Sequence, residues 1–96
     1  MQRITREHLT AVVARINRAT NSPSEPYAQG ADGRHYAQPG CYHLSRAYGG
    51  VCLHRMVNEG GGVNDVFGCG HVPSRDLANR MHAFLAGLAA RESRIE

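Results

Sequence analysis

Three cysteines, each followed two residues later by a histidine, are the residues in this sequence whose types and spacing come closest to a reactive site. They are Cys41 with His43, Cys52 with His54, and Cys69 with His71. Thiolate and imidazole groups bind zinc, and a thiol beside an imidazole is also the start of a nucleophilic pair. The spacing favours neither chemistry, because structural zinc sites use Cys-x-x-Cys pairs and covalent catalysis also requires an oxyanion hole. We therefore expect no metal, no cofactor and no enzymatic activity.

A second group of residues, between positions 46 and 75, is suited to binding an anion. All eleven residues counted as Lys or Arg are arginine, and the planar guanidinium group pairs well with phosphate. Glycine turns leave backbone N–H groups uncovered, and a helix beginning at Ser74 adds an N-terminus that attracts anions. An ordinary role in turns, caps or solubility stays open for each of these residues. The predicted contact residues are Arg46, Tyr48, Gly49, Gly50, His54, Arg55, Gly60, Gly61, Gly62, Asn64, Asp65, Ser74 and Arg75.

The expected ligand is small and nucleotide-like. Asn64 and Asp65 have side chains that suit a base or ribose edge, and Tyr48 offers a ring for stacking. The glycine spacing matches neither a Walker loop nor a dinucleotide-binding motif, so hydrolysis is not implied. These features predict binding without turnover, which is what sequestration of a ligand requires.

Two amphipathic helices are expected to frame these residues. Thr5 is a suitable N-cap for the first, which should end near Thr20, ahead of breaker residues at 21–23. The apolar stripe of this helix consists of Leu9, Val12, Val13 and Ile16. The second helix begins at Ser74, and its stripe consists of Leu77, Met81, Phe84, Leu85 and Leu88.

Three short strands are expected between the helices, at 41–47, 51–57 and 63–67. The segment 48–50 supplies a hairpin turn. If that turn has two or four loop residues, His43 lies opposite His54 and the Cys/His side chains share an outward face. The apolar face, which should meet the helices, is then Tyr42, Leu44, Val51, Leu53 and Val57. A three-residue turn would exchange the two faces.

The remaining segment, residues 21–40, contains three prolines and three glycines and is predicted to be a long loop. The chain as a whole is therefore predicted to be a single α+β domain over residues 1–96. Its two helices should pack on one face of a three-stranded antiparallel meander, in the order α-β-β-β-α.

Composition limits the location and the partners of the protein. The formal net charge of +3 is small for a dedicated duplex DNA binder. An odd number of cysteines, with no apolar leader or membrane-spanning run, leads us to expect a reduced cytosolic location and no membrane partner. Because 96 residues bury only a modest core, we also expect a homo-oligomer.

From Gly40 onward the sequence resembles small proteins of tailed bacteriophages. The shared motifs are G-x-Y-x-L-x-x-A-Y-G-G-x-x-L from Gly40 to Leu53, N-E-G-G-G from Asn58 to Gly62, and a helix that starts at Ser74–Leu77 and ends at Ala83–Leu88. The opening segment ITREHLTAVVARINRAT also fits. The resemblance names no activity, but it implies the host cytosol and a role against host defence. Such proteins sequester nucleotide signals, or bind a host defence protein in the manner of an anti-CRISPR protein.

Overall fold

The computed structural model describes residues 3–93, with only the backbone described at 92 and 93. It contains two helices and five strands in the order α-β-β-β-β-β-α. The predicted α+β class is confirmed, with two more strands than expected. The elements are α1 (Arg6–Ala19), β1 (Tyr27–Gln29), β2 (His35–Ala37), β3 (Tyr42–Ala47), β4 (Gly50–Met56), β5 (Val63–Asp65) and α2 (Ser74–Ser93).

Helix α1 has the predicted start, end and buried stripe. The Thr5 side chain accepts a hydrogen bond from the backbone N–H of His8 at 3.0 Å, which satisfies one of the free donors at the helix start. Thr20 is the C-cap. Leu9, Val12, Val13 and Ile16 are buried together with Tyr42, Val51 and Leu53 from the sheet. The helix therefore covers the apolar face of the strands.

The segment predicted to be a long loop instead contains the hairpin β1–β2. Its strands pair antiparallel, with Tyr27 opposite Ala37 and Gln29 opposite His35. Gly33 has a φ of 81°, and the backbone N–H of Gly30 donates to the carbonyl of Arg34 at 2.7 Å. The prediction was wrong because strands of three residues, both mostly exposed, carry no hydrophobic alternation to mark them.

The hairpin between β3 and β4 has the two-residue turn on which the predicted register depends. Both turn residues adopt left-handed backbone conformations, with φ 56° at Tyr48 and 76° at Gly49. Two successive positive φ values define the turn type that matches the twist of paired strands. His43 therefore lies opposite His54, and Ser45 opposite Cys52, so of the two registers that the sequence left open the structure has the one with an even number of loop residues.

The two faces of the sheet are separated as predicted, but the Cys/His face is not simply outward. Tyr42, Val51 and Leu53 are buried beneath the helices, whereas Val57 is 44% exposed. On the opposite face, Cys52 is only 1% exposed.

Two segments cover that opposite face. Residues near the β1–β2 hairpin form a small buried cluster in which Ala37 packs with Cys41 and Met56. After β5 the chain returns to the sheet, and Val72 pairs with Val51 through two backbone hydrogen bonds of 2.8 and 2.9 Å. The first of these segments was not expected, because residues 21–40 were predicted to be a long loop.

Helices α1 and α2 pack side by side and run in the same direction. His8, near the start of α1, lies with its Nε2 3.2 Å from Nε2 of His82, and Arg18, near the end of α1, shares a groove with Ala89. The first turns of α2 bury Leu77 and Met81 in the core. Within residues 3–93, neither helix combines the length and apolar character needed to cross a lipid bilayer.

Candidate functional site

Two rows of side chains cross the three-stranded sheet, one on each face. On the helix-facing side Tyr42 lies opposite Arg55, and Arg55 opposite Asn64. On the other side the same strands align His43, His54 and Asp65. Paired residues of neighbouring strands project to the same face. The predicted contact residues Asn64 and Asp65 therefore belong to different rows.

The first row opens into a cavity of about 360 Å³, which we call the arginine cavity. This volume lies within the range of small-molecule sites. The cavity combines one arginine and one aspartate with an asparagine and with aromatic and aliphatic surface. Its lining residues are Tyr42, Arg55, Asn64, Asp65, Val66 and Phe84.

The guanidinium group of Arg55 is held in place by an aromatic ring, not by a carboxylate. Its Cζ lies 5.6 Å from the centroid of the Tyr42 ring, within the range of a cation–π contact. Among residues 3–93 the salt bridge is that between Arg80 and Asp76, so Arg55 has no acidic partner there. This contact limits where the guanidinium group lies, and because Arg55 is exposed its N–H groups stay available to an anion.

The aromatic wall of the arginine cavity is anchored from below. The backbone N–H of Tyr42 donates to Oδ1 of Asn17 at 2.8 Å, and Nδ2 of Asn17 donates to the Tyr42 carbonyl at 3.0 Å. Asn17 is 4% exposed. The Tyr42 and Phe84 rings lie 5.9 Å apart at 53°. The amide of α1 thus fixes the position of the ring on which Arg55 rests.

Asp65 lines the arginine cavity, but its carboxylate is committed to the following loop. Oδ1 accepts from the backbone N–H of Gly68 at 3.0 Å, and Oδ2 accepts from that of Gly70 at 2.7 Å. Burial disfavours the charged carboxylate, but the hydrogen bonds from Gly70, the Cys52 thiol, Gly68 and Phe67 outweigh it and lower the pKa of Asp65. This carboxylate holds the loop of residues 65–70 in place. A hydrogen bond from a ligand to Asp65 would compete with the backbone N–H groups of Gly68 and Gly70.

The opposite row, which with its neighbours we call the histidine face, is a ladder of edge-to-face rings. The His43 and His54 centroids lie 5.8 Å apart, His54 and His71 6.1 Å, and His71 and Tyr48 5.6 Å. Nδ1 of His43 is buried without a hydrogen-bond partner among residues 3–93. Burial, followed by the neighbouring His43, lowers the pKa of His54, with His71 adding to the effect and Asp65 opposing it. His54 is therefore favoured in its neutral form.

The thiols on this side of the sheet are poor nucleophiles. Burial raises the pKa of Cys52 to about 11, and its hydrogen bond to Asp65 acts in the same direction. Burial also raises the pKa of Cys41, and the charge of Glu25 adds to the effect. Because the thiolate is the reactive form, both cysteines stay protonated near neutral pH. All three cysteines are free, and within residues 3–93 no three His, Cys, Asp or Glu side chains are arranged to hold a metal ion.

Ser45 and His71 form the nearest approach to a catalytic pair. Oγ of Ser45 lies 3.1 Å from Nε2 of His71, the separation expected of a nucleophile and its base. A working pair also needs a group that orients the second imidazole nitrogen and donors for an oxyanion. No described hydrogen bond reaches Nδ1 of His71, so the pair is best understood as part of the packing of the returning segment.

The predicted arginines are spread over the molecule. Arg46 lies opposite Val51 and Arg55 opposite Tyr42, so four residues of β3 separate the two rows, which is roughly 13 Å along a strand. Arg75 lies in the first turn of α2. The arginine cavity is lined by Arg55 and by neither of the other two.

The backbone N–H groups and the small size of the turn glycines are already used within the fold. The N–H of Gly62 donates to Oδ1 of Asn58 at 2.9 Å, and the N–H of Gly61 to the Asn58 carbonyl at 3.3 Å. A Cβ on Gly50 would come within 3.0 Å of backbone atoms of His71 and Val72. These contacts stabilise a turn and admit the returning segment, and they leave fewer donors for an anion nest.

Tyr42 and Phe84 were predicted to belong to apolar stripes, and both do pack in or against the core. Their additional role as walls of the arginine cavity depends on tertiary packing. No spacing motif signals it. Of the predicted contact residues, Arg55, Asn64 and Asp65 line the cavity, while His54 lies in the histidine face and Tyr48 is 95% exposed at the turn.

No protein-family model, curated protein or solved structure matches this chain. The geometry of the arginine cavity therefore carries the functional interpretation.

Proposed function

We propose that the protein is a non-catalytic binding protein for a small, nucleotide-like anion, which it holds in the arginine cavity. The observation that carries this proposal is the guanidinium group of Arg55, which lines the cavity in cation–π contact with Tyr42 and forms no ion pair with a described residue. A phosphate group would accept hydrogen bonds from its free N–H edge. The ring of Phe84 offers apolar surface to a base, and the amide of Asn64 offers both a donor and an acceptor to its edge.

Binding without turnover is the second part of the proposal. The thiols of the histidine face are held protonated, and the His71–Ser45 pair lies on the side of the sheet away from the arginine cavity. In the context that the resemblance to phage proteins implies, such a protein would act as a sponge for a nucleotide immune signal. Sequestration depends on affinity alone, so no catalytic group is required.

The test is isothermal titration of the purified protein with cyclic dinucleotides, cyclic trinucleotides and ADP-ribose derivatives. We expect one class to bind, and Arg55→Ala to weaken it by roughly 10- to 150-fold, since one charge-assisted contact contributes roughly 1.5–3 kcal/mol. Arg46→Ala is the matched control, because Arg46 is an exposed arginine of the same hairpin outside the cavity.

The state of the bound ligand distinguishes sequestration from catalysis. After prolonged incubation, chromatography of the released ligand should recover it intact. No heat with any member of the panel, or equal losses of affinity in both arginine variants, would refute the proposed site.

A further inference from the structure

The second half of α2 carries an apolar surface that the fold covers only in part, with Phe84 and Leu85 partly buried against the core. Residues 83–90 read AFLAGLAA, eight consecutive residues without a charge. From residue 82 to residue 91 no side chain of the helix is fully buried, whereas Leu77 and Met81 in its first turns are 0% exposed. A helix is normally stabilised in a protein by packing of its apolar stripe. Exposed apolar runs of this length are otherwise avoided unless they serve binding.

This surface is one wall of a groove between the two helices, which we call the α1–α2 groove. Its volume is about 550 Å³. Leu85 and Leu88 supply larger apolar side chains, and three alanines keep the floor shallow enough for another backbone to approach. The lining residues are Arg15, Arg18, Ala19, His82, Leu85, Ala86, Leu88 and Ala89.

The charge of the groove defines what fits it. Arg15 and Arg18 lie one helical turn apart on the α1 wall, and among the residues whose side chains the structure describes no carboxylate lines the groove. Neither guanidinium group forms an ion pair within residues 3–93. Two unpaired cations beside an apolar floor complement a helix with an apolar stripe flanked by acidic side chains.

We propose that the α1–α2 groove binds an acidic amphipathic helix of a partner protein. A second copy of this chain is a poor occupant, since the chain carries a net charge of +3 and would bring further arginines to the contact. The groove is separate from the arginine cavity: the two share no lining residue. Protein binding and ligand binding therefore use different surfaces and are open to independent tests.

The probe is a synthetic amphipathic helix of about 18 residues, long enough to hold helical structure, with leucines on one face and glutamates beside them. Its twin replaces every glutamate by lysine. Fluorescence anisotropy should show the glutamate peptide binding at least about tenfold more tightly than its twin, with the difference shrinking in high salt. Backbone amide shifts in NMR spectra should map the contact to residues 82–89 and to the facing turn of α1.

Charge reversal makes the test decisive. The double variant Arg15→Glu/Arg18→Glu should invert the preference, so that the lysine peptide binds more tightly. Arg34→Glu, an exposed arginine in the turn of the β1–β2 hairpin, is the control and should leave the preference unchanged. Leu88→Ser should weaken both peptides, with circular dichroism confirming that the variant is folded.

Other results would overturn the proposal. They are equal binding of the two peptides, a preference that survives charge reversal, or shifts confined to another surface. A dimer in light scattering that the double variant dissociates would assign the groove to a second copy. Binding of a DNA oligonucleotide that depends on the arginines but is unaffected by Leu88→Ser would assign it to nucleic acid.

Discussion

The row Tyr42–Arg55–Asn64 on the helix-facing side of the sheet differs from the row His43–His54–Asp65 on the other side in how its polar groups are used. In the first row the guanidinium group rests on an aromatic ring and faces an open cavity. In the second, the carboxylate is occupied by backbone N–H groups and the imidazoles face one another. The Asp65 carboxylate is therefore committed to the fold, and Nδ1 of His43 is buried without a partner in the described part of the chain. The exposed guanidinium group of Arg55 is instead available for binding.

The largest expected effect on stability comes from removing the Asn17 side chain, which holds Tyr42 of the first row in position. Asn17→Ala removes the partner of the Tyr42 N–H group and leaves the Tyr42 carbonyl with only the weak hydrogen bond from the Cys41 thiol at 3.5 Å. At roughly 1–3 kcal/mol for each affected group, the free energy of unfolding should fall by about 2–6 kcal/mol. Urea denaturation measures this loss.

Asn79→Ala is the matched control for that variant. Asn79 is exposed on α2, so its loss should change the free energy of unfolding by less than about 0.5 kcal/mol. If the two alanine variants unfold at the same urea concentration, the buried amide does not anchor the wall of the cavity.

A smaller effect is expected where the returning segment meets the sheet. A Cβ at Gly50 would come within 3.0 Å of the backbone of His71 and Val72, so Gly50→Ala should push that segment away and cost about 1–3 kcal/mol, as overpacking does. Thermal unfolding measures the loss, and NMR spectra should show the largest shifts at Val51 and Val72.

Gly87→Ala should have the opposite effect on stability from Gly50→Ala. Nothing lies within 4 Å of a Cβ placed at Gly87, and alanine is the better helix former by about 0.5–1 kcal/mol. This variant should therefore be more stable than the parent protein. A loss of stability at position 87 would mean that the second half of α2 packs against more than the structure shows.

The sequence predicted the features that depend on local contacts and missed those that depend on long-range contacts. The cap at Thr5, the stripe of α1 and the turn at Tyr48–Gly49 depend on residues close together in the chain, and all were predicted. The β1–β2 hairpin was missed because its short strands are stabilised by turn hydrogen bonds, without a hydrophobic pattern of their own.

The candidate site was harder to predict than the fold. Arg55 and Asn64 were selected by residue type, and cross-strand pairing brings them together. The contact between Arg55 and Tyr42 requires the hairpin register, and that between Tyr42 and Phe84 requires the packing of α2. Arg46 and Arg75 have the same side chain as Arg55, so residue type alone could not separate them from it.

The smallest expected effect is a pH dependence of the free energy of unfolding that arises from His54 in the second row. The pKa of His54 is lowered in the folded protein, first by burial and then by His43, with His71 adding to it and Asp65 opposing. As the pH falls below about 6.5, the usual histidine pKa, the unfolded chain therefore binds a proton that the folded chain resists. Stability should be full above this pH and decline as the pH falls towards the lowered pKa.

His54→Gln removes that titrating group and keeps a polar side chain of similar reach. Its free energy of unfolding, measured by urea denaturation at closely spaced pH values, should decline less below pH 6.5 than that of the parent protein. His35→Gln, in the exposed strand β2, is the control for losing a histidine elsewhere. Because Arg55 and Tyr42 lie on the opposite side of the sheet, ligand affinity should show no step over the same pH range in either variant. An acid-dependent loss of affinity that disappears with His54→Gln would instead mean that the two rows are coupled through the sheet.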